Sequence, residues 1–105
     1  MNSAKANLGN VIEVVTFKLK AGVTPAGFAP IDKAIELEHV ARQPGFVSRE
    51  SAYGNDGEWL VIVHWQSAKE ADASMASFEK ALAAARFMSS IDAATMVMKR
   101  YLLHV

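Results

Sequence analysis

Glu50, His39 and Arg86 are the side chains of this sequence best placed for chemistry on a small organic molecule. A carboxylate set beside apolar side chains is poorly solvated and becomes a competent general base for a phenol or an acidic C–H. Glu50 shares strand parity with Ser48, and the pairing argued below puts both beside Val61 and Val63; the opposing reading is an edge strand with Glu50 in water. His39 follows Ile35 by four residues on a helical apolar stripe, so it either shuttles protons at a cavity or caps a helix end. Arg86, with Asp92, either holds an anionic group or forms a surface pair. Trp65, Val61, Val63, Met75 and Phe78 offer walls for a flat apolar ligand, joined by Phe87 and Met88, with Trp59 as a lid at the hairpin end. Residues of these types also fill ordinary cores.

Other chemistries lack their residues. There is no cysteine, which removes thiolate, disulfide and zinc-thiolate sites. His39, His64 and His104 are scattered, with neither H-x-x-x-H nor carboxylate-triad spacing, so no metal site is expected. No glycine-rich phosphate loop or dinucleotide fingerprint occurs, and no organic cofactor is expected. Lysine plus arginine and aspartate plus glutamate both number 11, and no run of like charge exceeds two residues, which argues against nucleic-acid and membrane-surface partners. No apolar stretch approaches the roughly 18 residues of a membrane span. Met1–Gly9 has one lysine and no apolar segment, unlike a signal peptide, so a cytoplasmic location is expected.

The elements that must position these residues follow from periodicity. With 105 residues, 51% of them apolar, the chain suits one domain with one core. Residues 1–10 are small and polar and read as a flexible lead-in, leaving 11–105 as the single domain. Val11 to Leu19 is β-branched and apolar, a strand. Thr24-Pro25 reads as an N-cap followed by proline at the first helical position. Phe28, Ile31, Ile35 and His39 then define a helix to about Arg42. Pro30 is awkward within it, so that either Pro25–Ala29 is a separate turn or the first turn begins at Pro30. Phe46–Tyr53 and Glu58–Trp65 flank Gly54-Asn55-Asp56-Gly57, a hairpin signal. Ser67-Ala68-Lys69-Glu70 has the form of a capping box. Ala71, Met75, Phe78, Leu82 and Ala85 mark one apolar stripe on a second helix. Asp92-Ala93-Ala94 is a short connection before a last strand, Thr95 to Leu103.

A loop centred on Asn55-Asp56 pairs Tyr53 with Glu58, Ala52 with Trp59 and Phe46 with Trp65. One face then carries Phe46, Ser48, Glu50, Ala52, Trp59, Val61, Val63 and Trp65. The other carries Val47, Arg49, Ser51, Tyr53, Leu60, Ile62 and His64. Both are substantially apolar, yet two helices cover only one face of a four-stranded antiparallel sheet, and a solvated face would alternate to polar. The second face needs a partner, and a second copy of the chain across a two-fold axis supplies one, with His64 at the interface.

Val15-Thr16-Phe17, Pro44-Gly45-Phe46 and Trp65-Gln66-Ser67 resemble the corresponding segments of the antibiotic-biosynthesis-monooxygenase family, over about Val11 to Tyr101. The resemblance implies an α+β, ferredoxin-like β-α-β-β-α-β domain, with two helices on one face of an antiparallel sheet, pairing as a dimeric α/β barrel. It also implies a substrate cavity between sheet and helices on the face of the strand-three tryptophan, which Trp65 matches, and an arginine late in helix two, which Arg86 matches. The family's asparagine four residues before that tryptophan is Val61 here, and its tyrosine six residues after is Ala71. The haem-degrading branch is not matched: strand one has no asparagine, and helix two has neither tryptophan nor histidine. Two functions follow as expectations. One is cofactor-independent monooxygenation of a small aromatic molecule. The other is a non-catalytic dimer that binds a small apolar ligand or is purely structural.

Overall fold

The computed structural model describes residues 9–104. Strand β1 (Val11–Leu19) is followed by helix α1 (Pro25–Glu38), a 3-10 turn (Val40–Arg42), the hairpin β2 (Phe46–Tyr53) and β3 (Glu58–Trp65), helix α2 (Ala68–Ser77), a second 3-10 turn (Phe78–Lys80), helix α3 (Leu82–Ser89) and strand β4 (Ile91–Leu102). The four strands form one antiparallel sheet in the order β2-β3-β1-β4. The expected lead-in lies mostly outside the described residues, but Gly9 is buried and the exposed Asn10 is held by its backbone. Asn10 N–H donates to the Trp65 carbonyl at 3.0 Å. Gly9 has φ +75°, and a Cβ there would stand 2.4 Å from the Trp65 carbonyl oxygen, so only glycine fits.

The alternation of β1 decides where the core forms. Val11, Phe17 and, half-buried, Val15 point to the helix layer. Opposite them on β3 stand Trp65, Val61 and Trp59. Phe17, Phe28 and Phe87 pack mutually, with ring centroids 5.4–5.8 Å apart, and Phe28 meets Trp59 edge-on at 4.8 Å. This aromatic cluster ties α1 and α3 to the sheet centre and leaves the other sheet face without a helix.

Three expectations about the elements are corrected. Helix α1 begins at Pro25 and runs through Pro30 without a break; Thr24 Oγ1 accepts from Gly27 N–H at 3.0 Å and caps it. Pro30 is on the exposed side, as is Ala26, whose carbonyl loses its helical partner there, and this softens the usual cost of an internal proline. The second helix is interrupted. Ala81 is extended (φ −74°, ψ 136°), and α3 starts afresh with no side-chain cap. Alanine is the strongest helix former, so local propensity does not explain the break; packing of Ala83, Ala84 and Phe87 into the core overrides it. Leu82, expected on the apolar stripe, is 90% exposed as a result. The last strand starts at Ile91, taking in the expected connection through a register shift opposite Thr16–Lys18.

The hairpin pairing is also corrected. Gly57 N–H donates to the Gly54 carbonyl at 3.1 Å, and Gly57 itself is left-handed, φ +86°. A turn followed by a left-handed residue adds one residue to the loop. Tyr53 therefore pairs with Trp59, Ala52 with Leu60 and Glu50 with Ile62. A bulge at Val47 takes up the slip, and Phe46 pairs with Trp65 as expected. Between the two irregularities the facing of β2 is inverted. Arg49, Ser51 and Tyr53 share the tryptophan side, whereas Ser48, Glu50 and Ala52 lie opposite. Among the described residues no helix is long and apolar enough to cross a membrane.

Candidate ligand-binding site

A cavity of about 210 Å³ lies between the helix layer and the sheet face bearing Trp65. The sheet contributes Glu13, Val15 and Phe17 from β1, Arg49 from β2, Val61, Val63 and Trp65 from β3, and Met96 and Met98 from β4. Val40, Ser74, Met75, Phe78, Phe87 and Met88 close it from the other side. The interruption at Ala81 shapes this wall: the end of α2 supplies Ser74 and Met75, and the far end of α3 supplies Phe87 and Met88. Four methionines in one lining give it walls that can adjust to ligand shape.

Its few polar groups are held firmly. The Arg49 side chain is buried and donates to both oxygens of Asp32 at 2.7 and 3.2 Å, and to Glu36 Oε1 at 3.3 Å. Ser51 Oγ also donates to Asp32, at 2.5 Å. α1 thus anchors the edge strand β2 through a two-pronged ion pair. Glu13 is buried on β1, and Arg100 of β4 donates to its Oε2 at 3.0 Å while also binding Asp72 of α2. The hydrogen bond to Asp72 is the main cause that raises the Arg100 guanidinium above its ordinary value; burial opposes it and Glu13 adds to it. Arg100 is a permanent cation bridging sheet and helix.

Of the residues singled out in the sequence, Trp65, Val61, Val63, Met75, Phe78, Phe87 and Met88 converge on this cavity. Trp59 does not line it; it is packed at the hairpin end between Phe28 and Tyr53. Glu50 is exposed on the opposite sheet face, as the slipped pairing requires. Arg86 lines a separate groove between α1 and α3 with Ile31, Glu38 and Leu82. His39 is buried at the C-terminus of α1, behind the cavity wall. Gln43 Nε2 donates to its Nδ1 at 3.3 Å, and its Nε2 donates to the Ser74 carbonyl at 3.2 Å, a tautomer set by these partners. Its ring meets Phe78 edge-on at 5.9 Å. Sequence reasoning missed Glu13, Arg49, Val15, Met96 and Met98. Glu13 had a signal, since it shares the inward parity of Val11, Val15 and Phe17. Arg49 was hidden by the misplaced hairpin register.

The arrangement of elements has close counterparts among solved structures. SnoaB, a cofactor-independent oxygenase from Streptomyces nogalater, superposes with a TM-score of 0.65 at 21% identity, over 92% of this chain and 93% of that one. A proposed antibiotic biosynthesis monooxygenase from Chloroflexus aurantiacus gives 0.65 at 18%, over 92% and 95%. The protein At3g17210 of Arabidopsis thaliana gives 0.72 at 15%, over 90% and 96%.

The chain has the fold of these proteins.

No family model and no curated relative matches the sequence. The resemblance to antibiotic-biosynthesis monooxygenases therefore holds in the ferredoxin-like architecture, and at these identities it extends no further.

Proposed function

We propose that the chain binds a small, flat, mainly apolar organic molecule in the cavity beside Trp65 and oxygenates it without a cofactor. The observation that carries the binding is the cavity itself: a nearly continuous apolar wall interrupted by Glu13, Arg49 and Ser74. Apolar enclosure with a few fixed polar groups is the usual construction of a small-molecule site, and the modest volume suits a ligand of a few rings at most. The oxygenation draws on the likeness in fold to SnoaB. Such a reaction proceeds when the protein helps the substrate lose a proton and shields the resulting anion from water. In this reading Trp65, Val61, Val63, Met75 and Phe78 touch the ligand. Trp59, Glu50 and Arg86 do not, and His39 acts only through the Ser74 and Phe78 wall it supports. The test is oxygen uptake by the purified protein with phenolic and anthrone-type compounds. Uptake with formation of a quinone supports the proposal; binding without uptake removes the oxygenase part.

Binding without turnover is the second reading, and one observation favours it. Arg49 is already matched by Asp32 and Glu36, and Arg100 by Glu13 and Asp72, so neither cation is left unmatched to stabilise a substrate anion.

We also propose that the working unit is a homodimer joined through the open sheet face. Ile12, Val14, Leu60 and Ile62 are only half-buried there, and Val97 and Tyr101 are 49% and 50% exposed. A contiguous apolar surface of this kind is uncommon on a monomer. His64 lies on the same face with its Nδ1 sealed and unpartnered among the described residues.

A further inference from the structure

We infer that Glu13 Oε1 is the cavity's acceptor for a ligand hydrogen bond, and that the site selects neutral aromatic molecules bearing a hydroxyl or N–H over ethers and carboxylates. This rests on the cavity being a ligand site, as proposed above. Glu13 is a buried carboxylate in an otherwise apolar strand, and it lines the cavity. Its Oε2 is engaged by Arg100 at 3.0 Å, which fixes the carboxylate's orientation. Its Oε1 receives no hydrogen bond among the described residues. It is also absent from the sealed and unpartnered polar atoms, which are Trp59 Nε1, Trp65 Nε1 and His64 Nδ1. Glu13 Oε1 is thus an unpartnered and unsealed acceptor on a residue that lines the cavity. A buried carboxylate oxygen gains from a donor there, because its lost hydration is otherwise uncompensated.

Charge narrows the ligand class further. The ion-pair sets that include Glu13 and Arg49 hold three cations, Arg49, Arg100 and the exposed Lys33, against four carboxylates, Glu13, Asp72, Asp32 and Glu36. An anionic ligand would meet Glu13 with no unmatched cation to offset the repulsion. A neutral donor meets no such opposition.

The test is titration of the purified full chain with 2-naphthol, 2-methoxynaphthalene and 2-naphthoate near pH 7, followed by calorimetry. The three share one apolar body and differ in the group presented to Glu13. 2-Naphthol should bind about ten- to a hundredfold more tightly than the ether, the range of a hydrogen bond to a charged acceptor, and the carboxylate should bind more weakly still. Glu13→Gln, with Arg100 holding the amide oxygen, turns an N–H toward the cavity and should abolish the naphthol preference while the ether still binds. Equal binding of naphthol and ether by the unaltered protein overturns the role of Glu13 and leaves the cavity as a site. So does a preference that survives in folded Glu13→Gln. The comparison on the unaltered protein decides the matter even if the variant fails to fold. Failure of all three compounds to bind overturns the acceptor and the ligand site together.

Discussion

Arg49 and Asp32 form the least exposed ion pair of the described residues, with side chains 3% and 7% accessible. Removing Asp32 takes from the buried Arg49 side chain its two-pronged partner and leaves only the longer ionic contact to Glu36. Asp32→Ala should therefore cost about 3–5 kcal/mol in urea unfolding. Glu50→Ala, on the exposed side of the same hairpin, should change stability by no more than about 0.5 kcal/mol. The reverse ranking would show that the register of β2 is wrong. This contrast also marks how far single residues were legible. Trp65, Val61 and Val63 reach the cavity wall through strand alternation that sequence displays directly. Glu50 and Arg49 exchange faces because one left-handed glycine, Gly57, lengthens a loop by one residue. Parity arguments carry no protection against such a slip. Glu13 is a different case: the carboxylate sits at an inward position of an apolar strand, and the pattern announced it.

At the scale of elements, the strands and the capping box were readable because their signals are local. Ser67 Oγ accepts from Glu70 N–H at 3.3 Å, the capping half of the S-x-x-E box, while Glu70 Oε1 accepts from Ser67 Oγ at 3.1 Å rather than from the Ser67 backbone. The break at Ala81 was not readable. Nothing in Lys80-Ala81-Leu82-Ala83 disfavours a helix; the cause is the fit of Ala83, Ala84 and Phe87 against a sheet distant in sequence. Leu82 separates the two descriptions. On one continuous helix it would be a core residue, and Leu82→Lys would cost roughly 2–5 kcal/mol as a lost core leucine does. With the observed break the substitution should change the unfolding free energy by no more than about 0.5 kcal/mol. A large loss would restore the continuous helix. The break also separates Arg86 from the cavity, since α3 turns that side chain toward the groove shared with α1.

The whole molecule is a sheet covered on one side, and the two sides carry two separable claims. The open side should join a second copy of the chain. Ile62→Asp should give monomers or insoluble protein by sedimentation, because an unpaired charge in an apolar interface is poorly tolerated. A soluble and fully dimeric variant would mean that another surface mediates assembly. The fold itself was visible from the order of elements, since two helical segments flanking a hairpin between outer strands leave few antiparallel arrangements. Which side holds the ligand is the central claim, and methyl resonances read it most directly. Met75, Met88, Met96 and Met98, four of the chain's five methionines, line the cavity, whereas Ile12 and Ile62 lie on the open face. Spectra of protein labelled at methionine and isoleucine methyl groups, recorded while 2-naphthol is added, should show the four methionine signals moving together and Ile12 and Ile62 unmoved. Movement of Ile12 and Ile62 with the methionines unmoved would place the ligand at the open face and contradict the account.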